Sequence, residues 1–333
     1  MRLRLSCLLF LLPAALSAQS VGDWLLHPSL SSATLVTERY SFENNQFGTG
    51  ALSLLSAGFG TSGSPFRLNG TYDIAGGRII TCEATWQPVA QIGVRVGMQK
   101  MPFLTETTFS PTNIGLVGYS QAASYLGGYS GDLTGINSRS RDVGILLQGS
   151  LWPQDGYSLL NYSVGVFQGN GYSFRDNNNA KDLQGRMIFQ PSPYLKVSLG
   201  GMYGHYTPEG TSLLAARHRV STGVWYDNGT WFLRGENIYG ITDGTRSDGI
   251  MAMAGWWFHP RLLLAGRLDR FQKDLSDTES TVTRADLGFS HLLTPDGMIC
   301  YRIQYRHTFY SDPLKQGTDL LMLCLCFSFR TRI

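Results

Sequence analysis

The chain has 333 residues, of which 43% are hydrophobic and only 15% are charged, and its formal net charge is +3. Soluble domains carry about 25% charged residues, so this composition is low in charge for one of them. The near balance of acidic and basic residues gives no global field for nucleic acid. After residue 18 no apolar run approaches the ~20 residues of a membrane-spanning helix.

The first 18 residues have the pattern of a cleaved export signal. Arg2 and Arg4 precede a short apolar run, which ends before the small residues Ser17 and Ala18. The run is too short to cross a bilayer as a helix. We therefore predict a signal peptide over residues 1–18 and a single mature domain over residues 19–333.

From about residue 33 onward, apolar residues recur with a period of two, which is typical of β-strands. The last such segment carries Leu321, Leu323, Leu325, Phe327 and Phe329 on one face. Sixteen strands are predicted, approximately over residues 33–42, 50–60, 66–76, 78–88, 90–98, 142–152, 157–169, 181–191, 194–206, 215–227, 229–241, 246–259, 260–272, 281–293, 297–310 and 318–330. An even strand number is typical of closed outer-membrane barrels.

The connections beyond the fifth strand alternate in kind. Tight turns with proline or glycine, such as 152–156 and 294–297, alternate with mostly longer polar loops, such as 170–180 and 207–214. Outer-membrane barrels have short periplasmic turns on one rim and longer extracellular loops on the other. We therefore predict an all-β fold, a transmembrane antiparallel β-barrel of about 16 strands in the bacterial outer membrane. A soluble all-β domain is the alternative, and it does not explain the alternating connections.

One connection, over about residues 100–140, is much longer than the others and is rich in glycine and tyrosine. Structureless stretches of this length are usually functional or disordered. We predict that it folds back into the barrel and narrows the opening. A disordered surface loop is the alternative interpretation.

Strand alternation also indicates which charged residues face the lumen. The basic ones are Arg67, Arg95, Arg186, Lys196, Arg234, Arg267, Arg284, Arg302 and Arg306, and the acidic ones are Asp73, Glu83, Asp182, Glu236, Asp269 and Asp286. Cationic rings select anions, and guanidinium groups suit phosphate. Nine basic positions against six acidic ones leave two interpretations open, a salt-bridged lumen scaffold and a modest anion preference.

Motifs for catalysis are absent from the sequence. The six histidines show no His-Glu-x-x-His spacing, and no glycine-rich phosphate loop occurs. We therefore predict neither an enzyme nor a resident metal or cofactor; a hydrolase using a rim residue such as His205 is the alternative. The mature chain has four cysteines, and the sequence leaves open whether Cys300 pairs with Cys324 or Cys326.

Four segments carry a resemblance to a known family. They are Val94–Phe103 followed by Glu106, Arg141–Gly144, Tyr162–Gly171, and Lys181-Asp182 with Gly185-Arg186. In order and spacing they resemble the phosphate-selective porin O and P family of outer-membrane channels. The resemblance implies a sixteen-stranded, usually trimeric barrel with an infolded third extracellular loop. It also implies phosphate selectivity from arginines and lysines of the lumen and loop; in this chain the basic residues of the long loop stand only at its ends.

We therefore predict an outer-membrane porin for passive diffusion of small hydrophilic solutes, with anions such as phosphate among them. The alternative is a loop-plugged structural or adhesive barrel without an open channel. The expected partners are outer-membrane lipid, the solute and two further copies of the chain in a homotrimer, but not nucleic acid. The candidate pore-lining, anion-contacting residues are Arg95, Lys100, Arg139, Arg141, Arg186, Arg234, Arg302 and Arg306.

Overall fold

The structure is a computed structural model that describes residues 29–60, 64–136, 138–172, 176, 178–208 and 210–332. The predicted signal peptide lies outside the described residues. Within them, no helix combines the length and apolar character needed to cross a membrane.

Sixteen strands make up nearly all of the regular structure. They are β1 (Ser29–Ser41), β2 (Gln46–Phe59), β3 (Phe66–Asp73), β4 (Arg78–Val89), β5 (Ile92–Lys100), β6 (Arg141–Pro153), β7 (Ser158–Phe167), β8 (Asp182–Phe189), β9 (Leu195–Tyr206), β10 (Ala215–Asp227), β11 (Trp231–Thr242), β12 (Thr245–His259), β13 (Leu262–Gln272), β14 (Thr281–Leu292), β15 (Ile299–Tyr310) and β16 (Thr318–Arg332). Helical structure is limited to α1 (Gln121–Tyr125) and the 3₁₀ turns Glu106–Thr108, Pro111–Asn113 and Thr278–Ser280.

Each strand pairs antiparallel with its neighbours in sequence, and β1 pairs with β16 to close the barrel. The predicted fold class is confirmed, and so are all sixteen predicted strands. The largest differences are at the start of the chain, where β1 and β2 each begin four residues earlier than the alternation suggested. Closure leaves no strand edge unpaired, which is the condition for placing a sheet in lipid.

The outward face carries the apolar residues of the alternating pattern. On β16, Leu321, Leu323 and Leu325 are exposed, whereas Met322 and Cys324 are buried on the lumen side. Aromatic side chains gather at both ends of this outward surface. Trp231 and Trp256 stack at the short-turn end, and Tyr203 stacks on His218 at the other end. Such belts are typical of residues at the two membrane interfaces.

The longest connection, residues 101–140, is called L3 here. It links two strands that pair directly, with Lys100 opposite Arg141. The strand ends are therefore adjacent, and the 40 residues between them are not needed to span a distance. By contrast, β11 and β12 are joined by Asp243 and Gly244 alone, both with positive φ, as a tight hairpin turn requires.

Candidate functional site: the lumen and its infolded loop

L3 lies inside the barrel and is held there by apolar packing. Phe103, Leu104 and Leu126 of L3 are buried in one cluster with side chains from the barrel wall. The wall residues of this cluster are Met202 of β9, Ile238 of β11 and Phe271 of β13. Burying an aromatic or branched side chain contributes about 1.5–3 kcal/mol. The wall of β9–β13 therefore has an apolar patch where a solvent-filled lumen would be polar.

Glycines on the wall let L3 approach closely. A Cβ atom at Gly200 of β9 would lie 2.0 Å from the carbonyl oxygen of Phe103, and one at Gly288 of β14 would lie 2.4 Å from Leu116. Neither distance is compatible with a side chain unless L3 moves. A Cβ atom at the neighbouring Gly201 would make no such contact, because the nearest atom would lie 3.7 Å from it.

Wall carboxylates accept hydrogen bonds from the backbone of L3. The Glu236 carboxylate accepts from the backbone N–H groups of Thr105, at 2.9 Å, and Glu106, at 2.8 Å. Asp269 accepts from the N–H of Gln121, at 2.7 Å. Hydrogen bonds to charged groups contribute about 1.5–3 kcal/mol each. These carboxylates therefore fix both the start of L3 and the start of α1.

Guanidinium groups of the wall donate hydrogen bonds to the carbonyl groups of L3. Arg186 donates to the carbonyl oxygen of Leu104 at 2.6 Å, and Arg234 donates to that of Ile114 at 2.8 Å. Arg302 donates to the carbonyl oxygens of Pro111 and Thr112. A loop without regular secondary structure has many unpaired backbone groups, and burying them requires partners of this kind.

Two further predicted residues are paired with carboxylates of the wall. The Arg306 Nε lies 2.6 Å from Asp286, which also binds Arg267. Arg95 lies 3.8 Å from Glu83. Arg267 is buried and also donates to the carbonyl of Gly118 in L3. A salt-bridged scaffold, one of the two interpretations of the lumen charges, therefore describes much of the wall that L3 covers.

The three predicted cations at the ends of L3 come together. Lys100, Arg139 and Arg141 line one small cavity of about 20 Å³ between L3 and the wall of β2 and β4. A cavity of this size holds about one water molecule. The Lys100 Nζ donates to the carbonyl oxygen of Thr107 at 2.9 Å, and Arg139 forms an ion pair of 2.6 Å with Asp73.

Two larger cavities lie along the wall of β6–β9, towards the short turns. One of about 310 Å³ is lined by Gln148, Asn161 and Arg186, among others, and one of about 850 Å³ by Asn161, Gln190 and Lys196. Asn161 lines both of them, so the two cavities adjoin. Amide and hydroxyl groups dominate the lining of this region, and its charged side chains are Arg186 and Lys196.

Glu106, in the N-terminal part of L3, is a buried acidic residue. Its carboxylate accepts hydrogen bonds from the backbone N–H and the hydroxyl of Ser120, and it lies 3.6 Å from Arg267. Burial raises the pKa of Glu106 to about 7 despite the favourable contact with Arg267. Its ionisation near neutral pH therefore changes the charge at the contact between L3 and β13.

Sequence reasoning missed two buried lumen arginines of β10. Arg217 forms an ion pair with Asp182, and Arg219 donates to the carbonyl oxygen of Leu126 in L3. The signal was present, because Arg217, Arg219 and Ser221 share one face of the alternating strand. No signal in the sequence identified the backbone groups of L3 as the partners of the wall charges.

The described residues contain no cluster of three or more histidine, cysteine, aspartate or glutamate side chains that could hold a metal ion. His205, the residue named for the hydrolase alternative, lies in the outward aromatic group with Tyr203 and His218, 5.7 Å from each ring. These neighbours are those of an interfacial belt residue.

Comparison with solved structures shows the same fold in outer-membrane porins. The anion-selective porin from Comamonas acidovorans matches with a TM-score of 0.67 and 13% identity, covering 91% of this chain and 98% of that one. OmpF from Salmonella typhi, in complex with daunomycin, matches with a TM-score of 0.65 and 12% identity over 91% and 97%. A trimer form of OmpT from Vibrio cholerae matches with a TM-score of 0.63 and 11% identity over 91% and 99%.

No family model matches the chain, and no curated protein does. The closed sheet and the structural matches show the fold of a sixteen-stranded outer-membrane porin. The resemblance to the phosphate-selective porin O and P family stays a prediction.

Proposed function

We propose that this protein is a passive pore of the bacterial outer membrane for small hydrophilic solutes, with a preference for anions. One observation carries the proposal: every charged side chain that lines the three described cavities is cationic. These residues are Lys100, Arg139, Arg141, Arg186 and Lys196. A passage lined by positive charge and neutral polar groups raises the local concentration of anions.

The path proposed for the solute has two parts. Beside L3 it passes the gap lined by Lys100, Arg139 and Arg141, which encloses only about 20 Å³ and must widen to admit a solute. Towards the short turns it follows the wider polar wall that carries Asn161. Arg186 connects the two parts of the path, because it donates a hydrogen bond to Leu104 of L3 and also lines the 310 Å³ cavity. Phosphate is the anion that the family resemblance suggests, and guanidinium geometry suits it.

Planar-bilayer recording with the purified, folded protein tests the proposal. We expect stable single-channel conductance. Under a potassium chloride gradient, the reversal potential should be shifted from zero towards the equilibrium potential of chloride. Adding phosphate should reduce the chloride current if the two anions share the path. A protein that inserts but carries no current would contradict the pore, and a cation-selective reversal potential would contradict the anion preference.

A second function, a barrel plugged by L3, is favoured by one specific observation. The gap beside L3 encloses only about 20 Å³, and wall charges fix L3 along its length. Because Lys100 and Arg141 pair directly, residues 102–139 can be replaced by a four-residue turn without separating β5 from β6. A plugged barrel would conduct only after this replacement, whereas a pore would conduct before it and more strongly after it.

We also propose that the protein assembles as a homotrimer, as the trimer form of the structurally similar OmpT does. Chemical cross-linking in outer-membrane vesicles, followed by denaturing electrophoresis, should yield a band at three times the monomer mass. A monomer band alone, under conditions that cross-link a known trimeric porin, would contradict this assembly.

A further inference from the structure

Three cysteine thiols meet on the lumen side of β15 and β16. Cys300 lies directly opposite Cys326 in the antiparallel register, and Cys324 lies two residues before Cys326. The Sγ atoms of Cys324 and Cys326 are 3.7 Å apart. Cys326 therefore lies next to both other cysteines, one on its own strand and one across the register.

This thiol cluster is shielded from the solution in the folded barrel. All three side chains are buried, with at most 3% of their surface exposed. Leu35 packs in the same cluster, and Val117 of L3 packs against it. The position of Val117 is fixed, because its backbone N–H donates to the side-chain oxygen of Gln304 at 2.6 Å.

Strand geometry determines which two of the three sulfurs can bond. Residues directly opposite in an antiparallel pair have Cα atoms about 4.5–5.5 Å apart, within the range of about 4.4–6.8 Å for a disulfide. Diagonal neighbours such as Cys300 and Cys324 are about 7–8 Å apart. Cys324 and Cys326 follow each other on one face of a strand at about 6.6–6.8 Å, the upper end of the range. The register therefore favours Cys300 with Cys326.

We propose that Cys300 and Cys326 are joined by a disulfide in the exported protein, while Cys324 remains a thiol. This inference rests on the outer-membrane location and not on pore activity. The new bond joins the two Sγ atoms, and both thiol protons and two electrons leave. A disulfide-carrying oxidoreductase of the compartment between the two membranes takes up the electrons and becomes a dithiol.

Burial determines when this oxidation takes place. Because the folded barrel covers all three thiols, the oxidant reaches Cys300 and Cys326 before L3 and the strands close over them. Afterwards the same burial shields the disulfide from reductants. The bond closes a chain segment that contains the β15–β16 hairpin, and it therefore reduces the conformational freedom of the unfolded chain.

Peptide mapping of the full chain tests the proposal. The protein is extracted from outer membranes without reductant and denatured in the presence of N-ethylmaleimide, which blocks free thiols. It is then cleaved with trypsin. Cleavage after Arg284, Arg302, Lys315 and Arg330 yields peptides 285–302 and 316–330. We expect one linked species of these two peptides, which carries a single maleimide and separates on reduction. Recovery of 285–302 with one label and 316–330 with two would overturn the proposal.

Three matched variants identify the bonded sulfurs. Cys324→Ser should retain the linked species, whereas Cys300→Ser and Cys326→Ser should lose it. A link that survives in Cys326→Ser but disappears in Cys324→Ser would overturn the pairing. Heat-dependent gel mobility checks that each variant folds, and the wild-type map decides whether a disulfide exists even if a variant does not fold.

Discussion

Two walls of the same lumen use their arginines differently. On the wall of β9–β15 that L3 covers, Arg234, Arg267 and Arg302 donate to backbone carbonyls of L3. Around the ends of L3, Arg139 of L3 and Arg141 of β6 line a cavity, while Arg139 also pairs with Asp73 and Arg141 donates to the Arg139 carbonyl. All five are guanidiniums of one lumen. The role of a lumen arginine is therefore set by what covers it, and charge counts alone overstate the cations available to a solute.

The largest expected effect comes from removing the carboxylate that holds the start of L3. Glu236→Ala leaves two backbone N–H groups of L3 and the Ser221 hydroxyl without their acceptor. Each buried donor left without a partner costs about 1–3 kcal/mol. We expect a lower free energy of unfolding and cleavage of L3 by chymotrypsin in the folded barrel.

Glu83→Ala is the matched control, because the described partners of Glu83 are Asn69 and Arg95 of the wall and not L3. It should leave L3 resistant to chymotrypsin. Equal cleavage of L3 in both variants would remove the distinction between the two walls.

The second effect is a pH dependence from Glu106 in L3. Its pKa of about 7 in the folded protein exceeds the ordinary 4.5, so the folded state binds the proton more tightly. The contribution of Glu106 to stability is therefore full below pH 4.5 and is lost as the pH rises through 7. At about 1.4 kcal/mol per pKa unit the loss is on the order of 3 kcal/mol.

Unfolding measured from pH 4 to 8 in wild type and Glu106→Gln isolates this contribution, because the variant cannot ionise at that position. The wild-type stability should fall relative to the variant as the pH rises. Parallel profiles would show that burial does not raise the pKa of the Glu106 carboxyl.

A smaller effect is expected from the close contact at β9. Gly200→Ala places a Cβ against the Phe103 carbonyl of L3, whereas Gly201→Ala meets no atom closer than 3.7 Å. Overpacking of this kind destabilises by about 1–3 kcal/mol. We expect altered conductance and increased open-channel noise for Gly200→Ala only. Similar traces for both variants would mean that L3 does not touch the wall at Gly200 in the membrane.

The smallest effect concerns selectivity. Arg139→Gln removes a cation that lines the narrow gap, and Arg306→Gln removes one outside the three described cavities. Each is ion-paired with a wall carboxylate at 2.6 Å, Asp73 and Asp286 respectively, so the two differ in position and not in pairing. A unit charge at 4 Å in water changes an ion's energy by about 1 kcal/mol, roughly a fivefold change in occupancy. The anion-over-cation permeability ratio should fall more in Arg139→Gln. An equal fall in both variants would show that a position in the gap gives an arginine no special influence on selectivity.

The fold and much of the lumen were predictable because they depend on local pattern. Alternation in Leu321–Phe329 identified the lipid face, and the turn residues of 294–297 identified a strand boundary. Both signals arise within a few residues of the chain. The same alternation marked Arg234 and Glu236 as lumen residues, which their contacts with L3 bear out.

The partners of these residues were not predictable, because they are backbone groups of a loop more than a hundred positions away in the sequence. Backbone N–H and C=O groups are the same in every residue, so no residue pattern marks Ile114 or Thr105 as a contact.

The sequence by itself determined that the chain forms a sixteen-stranded barrel with one long connection, since strand period and turn chemistry are local properties. Only the tertiary structure decided that the charged wall mainly holds L3, that Lys100, Arg139 and Arg141 meet at one gap, and that Cys300 faces Cys326. These three facts depend on register and on where L3 packs, and both are set by contacts that close only in the finished barrel.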